Sequence, residues 1–155
     1  MSNPDQPKDE QSRIDHVGWF TPDLERSIAF WSNAMGFEAR PVQDRRQEWI
    51  GKLMGVPGAN VKLAHLYGHG GHIEFIQFIE PGDAAERYNS ALQNSHICLF
   101  VEDVVAFCDL ICRHGGSLKG ELTEITEGPA TGLRGLYAAD PHGVLIELIS
   151  LRPGG

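Results

Sequence analysis

The sequence predicts an α+β fold made of two tandem βαβββ units, and three observations carry that reading. A strand-like opening recurs at an offset of 80 residues, each copy continues into a capped helix, and each copy closes on an apolar strand bearing one Glu. Repetition at a fixed offset marks a structural unit used twice.

The openings are Asp15-His16-Val17-Gly18-Trp19-Phe20 and Ser95-His96-Ile97-Cys98-Leu99-Phe100, both with His second. At the same offset Asp23 meets Asp103, Phe30 meets Leu110, and Gly36 meets Gly116. Each Asp can accept hydrogen bonds from the free N–H groups of a first helical turn. Leu24, Ile28, Trp31 and Met35 recur at helical spacing before Gly36, and Val104, Phe107, Leu110 and Ile111 do so before His114-Gly115-Gly116. Gly suits the position just past a helix end.

Strand patterns follow each helix. In the first copy they cover residues 37–42, 61–67 and 72–78, with a longer excursion over residues 43–60. In the second they cover residues 117–123, 134–139 and 144–151. The closing strands align at an offset of 73, Ile73-Glu74-Phe75-Ile76 against Ile146-Glu147-Leu148-Ile149; the seven-residue difference is the excursion. One domain is expected over residues 13–151, with unit one at 13–80, a connector at 81–94 and unit two at 95–151. Residues 1–12, polar and holding two prolines, read as a disordered tail, and residues 152–155 as a second short tail.

A length of 155 residues suits one domain with a real core. The formal net charge of -8 argues against nucleic acid and anionic membrane as partners. No apolar run approaches the roughly 18 residues of a membrane span, and no secretory leader opens the chain. Cys98, Cys108 and Cys112 make an odd count without disulfide-framework spacing, so reduced thiols in a cytoplasmic protein are expected.

Chemistry concentrates on four residues. Glu74 and Glu147 lie in apolar strands that contain no Lys or Arg. An ionised carboxylate there costs several kcal/mol unless something compensates it. His16 and His96 sit in equally apolar first strands. Pairing the units about a pseudo-twofold axis would bring two imidazoles and two carboxylates together, a set suited to one divalent Zn, Ni, Co, Mn or Fe ion.

These residues resemble the vicinal oxygen chelate superfamily, which includes glyoxalase I, methylmalonyl-CoA epimerase, extradiol dioxygenases and bleomycin resistance proteins. The resemblance lies in Asp15-His16-Val17 with Pro22-Asp23-Leu24-Glu25-Arg26-Ser27, in Ser95-His96-Ile97, and in Asp140-Pro141-His142-Gly143-Val144-Leu145-Ile146-Glu147. It implies a curved mixed sheet around a metal held by His16, Glu74, His96 and Glu147. It further implies a metal-dependent isomerase, epimerase or lyase acting on a small carbonyl-containing substrate through a metal-bound enediolate or enolate, with Glu147 or Glu74 as the base. A ferrous extradiol-type dioxygenase is one alternative, though the fourth ligand Glu74 argues against it. A metal-containing small-molecule-binding protein is the other.

Glyoxalase I of bacterial type carries Arg four residues after its first ligand His and Asn four residues after its Glu. Here those positions hold Phe20 and Phe78, which argues against glutathione as cosubstrate. Relatives of this size often dimerise, and the connector is long enough for the units to pair within or between chains, so a homodimer is expected. Residues 49–59 are a candidate lid, and His65, Tyr67 and Tyr137 are candidate proton donors. Gly68-His69-Gly70-Gly71-His72 reads as a hairpin turn, because it lacks the strand–loop–helix setting and Lys of a phosphate loop.

Overall fold

The computed structural model describes residues 16–54, 56–80, 96–124 and 131–151. The expected tail 1–12, the connector 81–94 and the closing residues 152–155 lie outside the described residues.

Both helices start where the capping residues predict. Asp23 accepts a hydrogen bond from Arg26 N at 3.0 Å to open α1 (Leu24–Asn33), and Asp103 accepts one from Ala106 N at 3.0 Å to open α3 (Val104–Arg113). Between them the excursion carries a short helix, α2 (Glu48–Met54).

Around α1 the first unit builds one five-stranded sheet. Strand β1 (Val17–Phe20) runs parallel to β5 (Gly71–Glu80), β5 pairs antiparallel with β4 (Asn60–Gly68), and β4 pairs with β2 (Glu38–Ala39) and β3 (Gln43–Arg45). The second unit repeats the plan. Strand β6 (His96–Phe100) runs parallel to β10 (Leu145–Leu151), β10 pairs with β9 (Leu133–Ala139), and β9 pairs with β7 (Ser117–Leu118) and β8 (Thr123–Glu124).

The edge strands differ from the expected runs. The strand expected over residues 37–42 shortens to Glu38–Ala39 ahead of Pro41, a residue with no N–H to give a ladder, and a further strand, β3, lies in the excursion. The strand expected over residues 117–123 is two pieces flanking Gly120. The Gly-His-Gly-Gly-His segment closes the β4–β5 hairpin. His69 and Gly70 both take positive φ, 52° and 72°, as a two-residue type I′ turn requires.

Strand alternation divides each sheet into two faces. On one face Trp19, Ala64, Leu66, Ile73 and Phe75 pack beneath α1, and Leu99, Leu136, Ala138, Ile146 and Leu148 pack beneath α3. All ten join a single buried cluster with the helix residues Leu24, Phe30, Trp31, Val104 and Ile111, so the helix-covered faces of the units meet. The approach is close: a Cβ on Gly116 would lie 2.6 Å from Ala139 O and 3.0 Å from the Phe30 ring.

Among the described residues, a polar bond crosses this apolar seam. Trp31, with no exposed surface, donates its indole N–H to Asp140 Oδ2 at 3.1 Å. Asp140 Oδ1 accepts from His142 N at 2.8 Å and Val144 N at 2.9 Å, shaping the turn into β10. Trp31→Phe leaves that buried oxygen without its donor, so stability falls by about 1–3 kcal/mol. Urea unfolding measures this as a lower midpoint at constant slope; an unchanged midpoint would show that the bond contributes nothing.

Candidate functional site

The opposite face of each sheet carries the chemistry. In the first unit Gly18 stands beside Glu74 in the β1–β5 register, and His16 is two residues earlier. In the second, Cys98 stands beside Glu147, again with His96 two residues earlier. The same register therefore brings each His onto the Glu of its own unit. His16 Nε2 lies 3.3 Å from Glu74 Oε2, and His96 Nε2 lies 3.2 Å from Glu147 Oε2. Two donors each about 2.1 Å from one ion, at 90–109°, are separated by about 3.0–3.4 Å. Both pairs have that separation.

Within one chain the two pairs stay apart. Among the described residues no group of three or more His, Cys, Asp or Glu side chains is arranged to hold an ion. The helix-covered faces meet in the shared core, and each His/Glu couple lies on the sheet face turned away from it. Each pair brings one imidazole and one carboxylate together.

Each pair has neighbours at repeat-equivalent positions. The residue opposite Glu74 on β4 is His65, whose Nε2 is 3.6 Å from Glu74 Oε1. The residue opposite Glu147 on β9 is Tyr137, whose hydroxyl is 3.4 Å from His96 Nε2. His65 and Tyr137 were visible in the sequence as candidates. His72 was not, being read as part of a turn; its Nε2 lies 2.9 Å from His65 Nδ1, and its ring stacks on Tyr67 at 4.3 Å.

Desolvation first, then the charge of Glu147, raises the Tyr137 hydroxyl above its ordinary value. The same causes in the same order push the Cys98 thiol up to about 11.

The same face also carries a large apolar area beside Glu74. Phe20 and Phe78 stack at 5.4 Å, so the two positions that are polar in bacterial glyoxalase I form a hydrophobic floor here. On them Ile50, Ala59 and Val61 build a second, smaller buried cluster. The candidate lid thus has two roles: Ile50 packs on the sheet, while Trp49 and Leu53, 50% and 74% exposed, edge a pocket of about 340 Å³ that reaches His16 and Glu74.

The chain matches the Glyoxalase/Bleomycin resistance protein/Dioxygenase superfamily over residues 13–148. It belongs to that superfamily. The match spans both units and all four His and Glu positions. It is 29% identical over 147 residues to 2-epi-5-epi-valiolone epimerase of Actinomyces sp, covering 91% of this chain and 80% of that protein. It is 29% identical over 142 residues to ethylmalonyl-CoA/methylmalonyl-CoA epimerase of Cereibacter sphaeroides, covering 88% and 96%. A probable lactoylglutathione lyase of Vibrio parahaemolyticus is 27% identical over 142 residues, with 88% and 89% covered. The fold is that of a glyoxalase family protein from Bacillus cereus, with a TM-score of 0.79 at 23% identity over 95% of this chain and 99% of that one.

The geometry beside Glu147 sets thiol reactivity. A raised pKa means that thiolate forms only as pH rises toward it, and the thiolate is the nucleophile. At pH 8 a thiol with a pKa of about 11 is ionised to roughly one part in a thousand. In metal-free protein iodoacetamide should label Cys112 before Cys98 although both are exposed, and Glu147→Gln should speed labelling of Cys98. Mass spectrometry of timed digests reads both, and equal rates at the two cysteines would contradict the geometry.

Proposed function

We propose that this protein is a metal-dependent epimerase, isomerase or lyase that moves a proton next to a carbonyl of a small-molecule substrate. Its metal is held by His16 and Glu74 of one chain together with His96 and Glu147 of a second copy. The observation that carries this reading is the pair of matched His/Glu couples, 3.3 and 3.2 Å, on outward faces of one chain. Each couple is complementary to the other and incomplete alone. Two copies related by a twofold axis would join them face to face and give two equal sites. Exposed Phe100 and Leu151 on the second unit's face provide apolar surface for that contact.

The donor set fits the group. Imidazole nitrogen and carboxylate oxygen in equal number suit a borderline divalent ion. Glu74 lies on an apolar strand, 12% exposed at its side chain, with histidines rather than cations as its neighbours. When bound, such an ion supplies Lewis acidity, drawing electron density from a substrate oxygen.

The remaining tasks fall to the chain. His65 beside Glu74 and Tyr137 beside His96 hold the ligands in orientation, as the outer shell of a metal site does. Glu147 takes the proton. Its side chain is 27% exposed against 12% for Glu74, so it has room to turn toward a substrate. The epimerases and lyases among the relatives support this chemistry, and the Phe20–Phe78 floor favours a substrate with an apolar part over glutathione.

Three experiments test the reading. Glu147→Gln and His96→Ala should each lower bound metal severalfold, measured by elemental analysis, since each removes a ligand. Mixing metal-poor His16→Ala and His96→Ala chains should restore one intact site per mixed dimer, and with it part of the metal. No recovery in dimers shown to have exchanged chains would overturn the shared site.

In D₂O, metal-loaded protein should wash deuterium into the carbon beside a carbonyl of methylmalonyl-CoA, 2-epi-5-epi-valiolone or lactoylglutathione. Glu147→Gln should slow that exchange by about 10²-fold or more. Absence of exchange in all three, at full metal loading, would overturn the proton-transfer assignment.

A further inference from the structure

We infer that the substrate carries an oxyanion, carboxylate or phosphate, and that Arg45 with Gln43 binds it at the far end of the Glu74 pocket. This rests on the functional reading above, because it assigns a substrate class to the same face.

The β3–β4 register pairs Gln43 with Leu63, Asp44 with Lys62, and Arg45 with Val61. Alternation therefore turns Gln43 and Arg45 toward the face that holds His65 and Glu74, and turns Asp44 the other way. Asp44 is engaged by Arg46, whose Nε and guanidinium nitrogen lie 2.9 and 2.8 Å from its two oxygens. Neighbouring acid and base thus satisfy each other on one face, and Arg45 remains on the other.

In a chain of net charge -8, a cation turned inward is the exception. Arg45 is partly buried, and among the described residues it is the one Lys or Arg lining the pocket with Trp49, Leu53, Leu63, His65 and Glu74. The polar partner of its guanidinium is the side-chain oxygen of Gln43. That bond leaves most of the five N–H donors available, and a guanidinium fork matches the two oxygens of a carboxylate or phosphate. Gln43 holds the fork in place and keeps its own amide N–H₂ for the same ligand.

Position sets the substrate's length. Arg45 stands beside Val61, four residues along β4 from His65, the partner of Glu74. At roughly 3.3 Å per residue the two rows are about 13 Å apart. The substrate therefore offers its reactive carbonyl to the His16–Glu74 end, an apolar middle to Leu63, Trp49 and Leu53, and an anion to Arg45.

The pocket contains its own reporter. Of the three tryptophans, Trp19 and Trp31 are buried, and Trp49 is the exposed one at the pocket edge. The probes are 4-nitrophenylacetate and its neutral primary amide, whose nitroaromatic ring quenches nearby indole fluorescence. At low salt the anion should quench saturably with an affinity at least about tenfold above the amide. Arg45→Gln should erase the preference, and Arg45→Lys should retain part of it.

Equal binding of the two probes to the native protein, or no binding of either, would overturn the inference. So would dissociation of the Arg45→Gln dimer on sedimentation, which would make Arg45 an assembly residue. The metal content of Arg45→Gln should match the native value. Failure of the metal and exchange tests above would reject the functional reading, whereas failure here rejects only the anion.

Discussion

The hydrogen bond from Trp31 to Asp140 is the constraint on which the arrangement of the two units depends. It ties the middle of α1 to the turn that launches β10, and it does so inside the apolar seam between the units. Hydrophobic burial alone would allow the seam to slide, because apolar contact has no direction. A single donor and acceptor, both buried, fix the registration. Asp140 also shapes its own turn through His142 N and Val144 N. The residue that positions Glu147 along β10 thus also holds the two units back to back.

From that seam the character of the candidate site follows. Once the helix-covered faces are committed to the core, the only surface left for His16, Glu74, His96 and Glu147 is the outer face of each sheet. The strand register then joins each His to the Glu of its own unit, by the same two-residue offset in both. Local pairing of His with Glu is therefore a property of the unit.

Much of this was legible in the sequence, for reasons that differ by element. The helices were legible because capping Asp23 and Asp103 and the helical spacing of apolar residues agree with the packing. The His/Glu couples were legible because charged groups in apolar strands at repeat-equivalent positions need a common cause. The edge strands were less so: the pattern over residues 37–42 hid that the ladder stops before Pro41 and resumes in the excursion, and the pattern over residues 117–123 hid the break around Gly120. Which side of each unit meets the other was not legible at all. Two apolar faces can pair in more than one way, and only the meeting of Trp31 with a residue 109 positions away decides it. Arg45 escaped notice for a related reason, since it lies in a run of three consecutive charges, Asp44-Arg45-Arg46, that reads as solvated surface.

The small cluster of Ile50, Ala59, Val61 and Phe78 has a thermodynamic consequence of its own. It is separate from the main core, so α2 and the chain after it are held by four buried residues and a few partly buried neighbours. Opening this segment should cost less than global unfolding, because it gives up that small cluster and not the main core. The segment over the Glu74 face can therefore open locally while the Trp31 seam stays closed. Its populations and rates belong to local fluctuation rather than to the stability of the protein as a whole.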